Sequence, residues 1–248
     1  FVGAVEALVK QDAGWVPKKV GESLYLRPFM IATEVGLGVR PSNKALFAVI
    51  ATPAAAYFNS AKAVTVWISL EYVRAVLGGT GEAKCGGNYA ASLLAQQEAA
   101  KEGCDQVVWL DAKERFWVEE MGGMNLYFVK GRGKDATIFT PKLTGTLLHG
   151  ITRDSILSVA KDLGYKVEEG MISIDQWRDG VASGEISEIF ACGTAAVIAP
   201  VGSAKSKYGT WVTGDGNPGE ITMEIRNHLL GIQHGTIPDK HGWMKRVI

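Results

Sequence analysis

The chain has 248 residues, 47% hydrophobic and 21% charged, which suits one large or two small globular domains with a substantial core. Its 26 Lys and Arg balance 26 Asp and Glu, so no basic excess favours nucleic acid or an anionic membrane surface. No run of 18 apolar residues suggests a membrane-spanning helix, and Cys85, Cys104 and Cys192 form neither a C-x-x-C pair nor zinc-ligand spacing, which points to reduced thiols in a cytoplasmic protein.

Residues 1–8 carry no Met and no leader pattern, and they read as the interior of an amphipathic helix, so further residues are expected ahead of them. Ser23–Ala32 reads as a strand, followed by a loop with Gly36, Gly38 and Pro41 and an apolar strand at 45–51. The small, polar run 59–63 suggests a linker. The expected division is 1–58 as the remainder of a small N-terminal domain, 59–66 as the connection and 67–248 as a large domain.

Asn88 is expected to cap a helix of about fifteen residues that places Leu93, Leu94, Gln97 and Ala100 on one face and stops at Gly103. Gln106–Leu110, 117–120, 125–129 and 136–140 read as strands. Thr152 is expected to cap a helix bearing Ile156, Val159, Ala160 and Leu163. A strand at 166–172 follows, then a short helix capped by Asp175. Strands at 188–192 and 196–201 flank Gly193 and Thr194. The last helix is expected from Asn217 and Pro218, with Ile221, Ile225, Leu229 and Ile232 as its stripe. Strands outnumber helices without regular alternation, which argues for an α+β class.

Lys84 carries the most chemistry. It follows Gly81 and precedes Gly86 and Gly87, where a packed turn would strip water from its amine and glycines would leave room for a flat ring. A neutral amine condenses with an aldehyde cofactor, and a pyridine ring needs an anion beside its nitrogen. Glu120, before Gly122 and Gly123, fits that role, with Glu119 as the alternative; strand alternation would send the two to opposite faces. Phosphate needs backbone N–H groups at a helix start, which residues 150–153 or the turn 193–195 could supply. Tyr89 could hydrogen-bond cofactor or substrate or simply pack in the core. Tyr25 and Arg27 alternate on one strand face and could hold a carboxylate or only each other. No P-loop ending, G-x-S-x-G elbow or metal-binding histidine spacing is present.

Taken in order, residues 23–28 (SLYLRP), 78–89 (GGTGEAKCGGNY), 120–125 (EMGGMN), 150–153 (GITR) and 192–195 (CGTA) resemble the branched-chain amino acid aminotransferases, most closely the actinobacterial form. The resemblance spans essentially the whole chain. It implies a two-domain α+β fold of the fold-type-IV pyridoxal-phosphate enzymes, like D-amino acid aminotransferase, with the small domain incomplete here. It further implies reversible exchange of the amino group of leucine, isoleucine or valine with 2-oxoglutarate.

By the same resemblance Lys84 would hold pyridoxal 5′-phosphate covalently and shuttle a proton, Glu120 would pair with the ring nitrogen, and Tyr89 would bond near the phenolic oxygen and the substrate carboxylate. Ile151, Thr152 and Thr194 would bind phosphate, and Leu148 would pack on the ring. Tyr25, Arg27, Gly123, Thr194 and Ala195 would meet the substrate, and no metal is implied. A homodimer would bring the loop of Leu37, Gly38 and Val39 to the neighbouring active site. Many relatives carry Thr where this chain has Gly123, and Ala196 and Ala199 stand where some animal relatives have a redox cysteine pair. A D-amino acid aminotransferase or aminodeoxychorismate lyase of the same fold, or a non-catalytic fragment, are the alternatives.

Overall fold

Residues Val2–Gln11 form helix α1, with Lys10 in its last turn. Ser23–Ala32 (β1) and Ala45–Ala54 (β2) pair antiparallel in unbroken register from Ser23–Ala54 to Ala32–Ala45, so β2 runs three residues past the expected end. Between them Glu34 accepts from the Asn43 N–H at 2.8 Å and pairs with Arg40 at 2.9 Å. Leu37 and Val39 are fully exposed in this loop. The computed structural model describes residues 1–19, 21–55 and 62–248, in two units: 1–57 with 239–248, and 58–238. The expected connection at 59–66 lies partly outside the described residues.

The larger unit begins at β3 (Val64–Ile68), continues through α2 (Gly86–Ala90) and α3 (Leu93–Lys101), and then enters a run of strands. These are β4 (Gln106–Leu110), β5 (Val118–Met121), β6 (Met124–Lys130) and β7 (Thr137–Pro141). Helix α4 (Ile151–Asp162), β8 (Lys166–Gly170) and α5 (Ile174–Ser183) follow, then β9 (Ile186–Gly193), β10 (Val197–Ser206), β11 (Gly209–Val212) and α6 (Glu220–Gln233). The sheet order is β11-β10-β3-β4-β5-β6-β7-β8, and β9 pairs with both β10 and β6. The strands β10, β3, β4, β5, β6 and β9 therefore close into a ring, which satisfies backbone groups that an open sheet leaves at its edges.

Period-2 alternation along β6 feeds two cores. Leu126 and Phe128 join Val66, Ile68, Leu110 and Trp177 of α5. Tyr127 and Val129 face α4 and α6 through Ile156, Val159, Ile225 and Leu229. Tyr127 stacks on Phe190 with centroids 5.0 Å apart, and its hydroxyl donates to the Arg153 carbonyl at 2.6 Å.

Several expected helix starts are corrected. The single helix from Asn88 is two helices, because Ser92 Oγ donates to the Tyr89 carbonyl at 2.7 Å and competes with the backbone. Asn88 sits inside the first of them and caps nothing. Small Ala95 and Ala99 let α3 close on Trp109, so Leu93 and Leu94, expected on the packed face, are exposed. Gly150 rather than Thr152 caps α4, and Ser173 rather than Asp175 caps α5 through a reciprocal box with Gln176. Helix α6 begins at Glu220, after Pro218, with the Glu188 carboxylate from β9 accepting the Ile221 and Thr222 N–H groups at 3.0 and 2.7 Å.

Candidate functional site

Strand β5 ends at a two-residue hairpin, Gly122–Gly123, that pairs Met121 with Met124. Gly122 has φ 58°, a left-handed conformation that disfavours side chains, and its carbonyl accepts from Trp109 Nε1 at 2.9 Å. The β4–β5 register pairs Val108 with Met121 but Leu110 with Val118, so β5 carries one extra residue between them. This bulge falls on Glu119 and Glu120. It breaks the alternation expected to send the two carboxylates to opposite faces, and both are buried.

Glu120 is 2% exposed. Its Oε1 accepts from the Leu148 N–H at 2.6 Å. Its Oε2 lies 3.0 Å from Arg74 Nη2, an ion-pair distance, yet without hydrogen-bond alignment, so that buried oxygen has no hydrogen-bond donor among the described residues. Burial pushes the acid up to about 7, against the pull of Arg74, the Leu148 N–H and Lys84. Glu119 accepts from Thr146 Oγ1, and burial raises it too.

Across the ring, Glu120 pairs in register with Asn125 and Asn125 with Cys192, which places three polar or thiol side chains in one row. Asn125 Nδ2 donates to the Leu148 carbonyl at 3.1 Å, so Leu148 is fixed from both its N–H and its C=O. Two residues on, α4 starts at Ile151 with no side-chain cap. The N–H groups of Ile151 and Thr152 belong to the unsatisfied first turn, and the helix dipole favours an anion there. Past Cys192, Thr194 and Ala195 form an exposed turn before Val197, whose φ of 56° is strained for a β-branched residue.

The loop before Lys84 is clamped by Asn88. Its Nδ2 donates to the Thr80 and Ala83 carbonyls at 2.7 and 2.8 Å, and its Oδ1 accepts from Thr80 Oγ1 at 2.6 Å. Gly81 packs so closely on residue 146 that a Cβ would lie 2.3 Å from the Thr146 carbonyl oxygen. Lys84 itself is exposed, contrary to the expected dehydrated turn, because its glycine neighbours cover little of it. Its Nζ lies 5.9 Å from the Tyr89 ring centroid, and the Tyr89 ring approaches Gly123 to within 3.5 Å of where a side chain would begin. Tyr25 and Arg27, in the smaller unit, touch each other: Arg27 donates to the Tyr25 hydroxyl, and its guanidinium carbon sits 5.1 Å from the ring centroid.

Two concave surfaces, about 870 and 450 Å³, are lined by none of Lys84, Tyr89 and Glu120. The smaller touches this region through Glu119 and Thr146. Among the described residues no His, Cys, Asp and Glu group could hold a metal ion, and no helix is long and apolar enough to cross a membrane.

Sequence reasoning missed Arg74, Asn88 as a clamp, and Thr146. The signal for Arg74 was present: a lone cation inside the run YVRAVL at 72–77 needs a buried counter-charge.

A family model for amino-transferase class IV matches residues 4–204. A probable branched-chain-amino-acid aminotransferase of Streptomyces coelicolor is 61% identical over 246 residues, covering 98% of this chain and 67% of that protein. A branched-chain-amino-acid aminotransferase of Mycolicibacterium smegmatis is 60% identical, covering 100% of this chain and 68% of its own length. The chain thus spans about two thirds of these relatives. Among solved structures, a T.th. branched-chain amino acid aminotransferase with pyridoxamine 5′-phosphate superposes with TM-score 0.81 at 31% identity, covering 99% of this chain and 74% of that one. The Escherichia coli branched-chain enzyme gives 0.75 at 34%, covering 91% and 71%.

Proposed function

We propose, for a chain that belongs to the class IV aminotransferases, that it exchanges the amino group of leucine, isoleucine or valine with 2-oxoglutarate on pyridoxal 5′-phosphate. The observation that carries this reading is the buried, donorless Oε2 of Glu120, within electrostatic reach of Lys84. A buried acceptor without a donor is costly, and a protonated pyridine nitrogen supplies the missing N–H. The residues present therefore fit the cofactor.

When bound, pyridoxal phosphate supplies an aldehyde that takes up an amino group and a ring that withdraws electrons from the adjacent carbon. This chain's residues do the rest. Lys84 Nζ, on a loop held by Asn88, would offer the attaching amine and take up the proton of the substrate Cα. Glu120 Oε2 would accept from the ring nitrogen and favour its cationic form. Tyr89, whose ring lies against Gly123, would orient the phenolic side of the ring. The uncapped start of α4 at Ile151 and Thr152, with Thr194 on the neighbouring turn, would bind phosphate, and Leu148 would pack on the ring. Ala195 offers its N–H to the substrate carboxylate. The assignment of Tyr25 and Arg27 to the substrate and of a homodimer with the 37–39 loop near the neighbouring site rests on resemblance, and a cytoplasmic location on the three scattered cysteines. The division into domains 1–58 and 67–248 rests on the small, polar run at 59–63.

The test is spectroscopic. Protein reconstituted with pyridoxal phosphate should lose its aldehyde-form absorbance on addition of leucine, release the matching 2-oxo acid, and recover on addition of 2-oxoglutarate. A response to D-alanine but none to leucine would move the assignment to a D-amino acid enzyme of the same fold.

A further inference from the structure

Arg74 touches three parts of the site at once. Its Nη1 donates to the Thr146 carbonyl at 3.2 Å, both terminal nitrogens donate to the Gly81 carbonyl at 3.4 and 3.2 Å, and Nη2 stands 3.0 Å from Glu120 Oε2. Gly81 lies three residues before Lys84, and Thr146 lies two before Leu148, whose N–H holds the other Glu120 oxygen. One planar guanidinium thus ties the lysine loop, the phosphate-side loop and the buried acid together. The side chains of the ion pair are 9% and 3% exposed, so the pair is little screened. The bulge gives Arg74 a second carboxylate to serve, since its charge also favours ionised Glu119.

We propose that Arg74 is a positioning residue: it draws Glu120 toward its ionised form against the cost of burial, ready for a cationic ring nitrogen, and it fixes the Lys84 loop relative to that acid. This rests on the cofactor reading above. The charged and titratable groups facing Glu120 are few. Arg74 and Lys84 favour its ionised form, and Glu119 opposes it. Cys192, across two strands, is buried, and its thiol is pushed up by that burial. Asp111 lies beyond Glu119. From α4, Arg153 is committed to the Pro141 carbonyl and Glu169. His149 and Glu82 pair with each other at the exposed rim. Arg74 is thus the one buried cation held against the acid among the described residues.

The experiment follows the ¹³C carboxyl resonance of Glu120 against pH in cofactor-free protein, assigned by its disappearance in Glu120→Gln. In Arg74→Met the midpoint should rise by about one to three pH units, the usual effect of an opposite charge at this distance. In Arg74→Lys it should stay near the wild-type value. In Glu119→Gln, which leaves Arg74 a single carboxylate and removes a like charge, it should fall. An unmoved midpoint in folded Arg74→Met, or in Glu119→Gln where Arg74→Met does not fold, overturns the proposal. A second readout separates it from the reading it rests on. At pH 8 the Kd for pyridoxal phosphate should weaken by roughly tenfold in Arg74→Met, as expected for a lost charge-assisted bond. A midpoint that moves while wild type takes up no pyridoxal phosphate would support the role of Arg74 and refute the cofactor reading.

Discussion

Glu120 shows most plainly how one residue's surroundings set its chemistry. Its carboxyl has one N–H donor and one nearby cation that is not aligned to donate, too little to offset burial, so the acid holds its proton up to about pH 7. The consequence for stability has a definite sign. Above the unfolded value of 4.5 the unfolded chain has released a proton that the native acid still binds, so native stability falls as pH rises from about 4.5 to about 7. The contribution is roughly 3 kcal/mol for a fully buried group in the cofactor-free protein. Urea unfolding at pH 5 and pH 8 should show this loss in wild type and much less of it in Glu120→Gln, with a remnant from Glu119, which burial shifts the same way. Equal pH dependence in both proteins would contradict the account of Glu120. Lys84 was identifiable as a site candidate from its glycine-rich setting, but its exposure was not, because glycines signal room without saying whether other elements cover it.

At the scale of elements, local patterns were legible where the deciding contacts are local. Ser23–Ala32 and Gln106–Leu110 have the ends that alternation gives. Helix starts were the weak point, because several polar candidates lie within a turn of each other. Ser173 and Asp175 are both good caps by type, and the box with Gln176 decides for Ser173, while Asp175 faces Arg178 at the surface. Ser173→Ala should therefore cost about 1 kcal/mol in urea unfolding. Asp175→Ala should cost far less, and the reverse order would contradict this capping. Other features had no local signature. The Glu188 cap on α6 joins residues more than thirty apart, and the bulge at Glu119 and Glu120 appears only once β4 is laid beside β5. Asn88 carries helix-cap chemistry in sequence but uses its amide to clamp the turn before Lys84.

For the whole molecule, composition excluded more than it assigned. A balanced charge and scattered cysteines left only the ordered series of short motifs to speak for function. The ring of six strands explains why the four later motifs, spread from residue 78 to 195, act together. Pairing of β5 with β6 and of β6 with β9 carries Glu120, Asn125 and Cys192 into one row; the first two side chains hold Leu148, and the turn after β9 carries Thr194. The central claim is that Lys84 holds pyridoxal phosphate while Glu120 faces its ring nitrogen. The most direct measurement is borohydride reduction of the reconstituted protein followed by peptide mapping. The account predicts a phosphopyridoxyl group on Lys84 alone, and none in Lys84→Ala. A label on another lysine, or none in wild-type protein that has bound the cofactor, would contradict it.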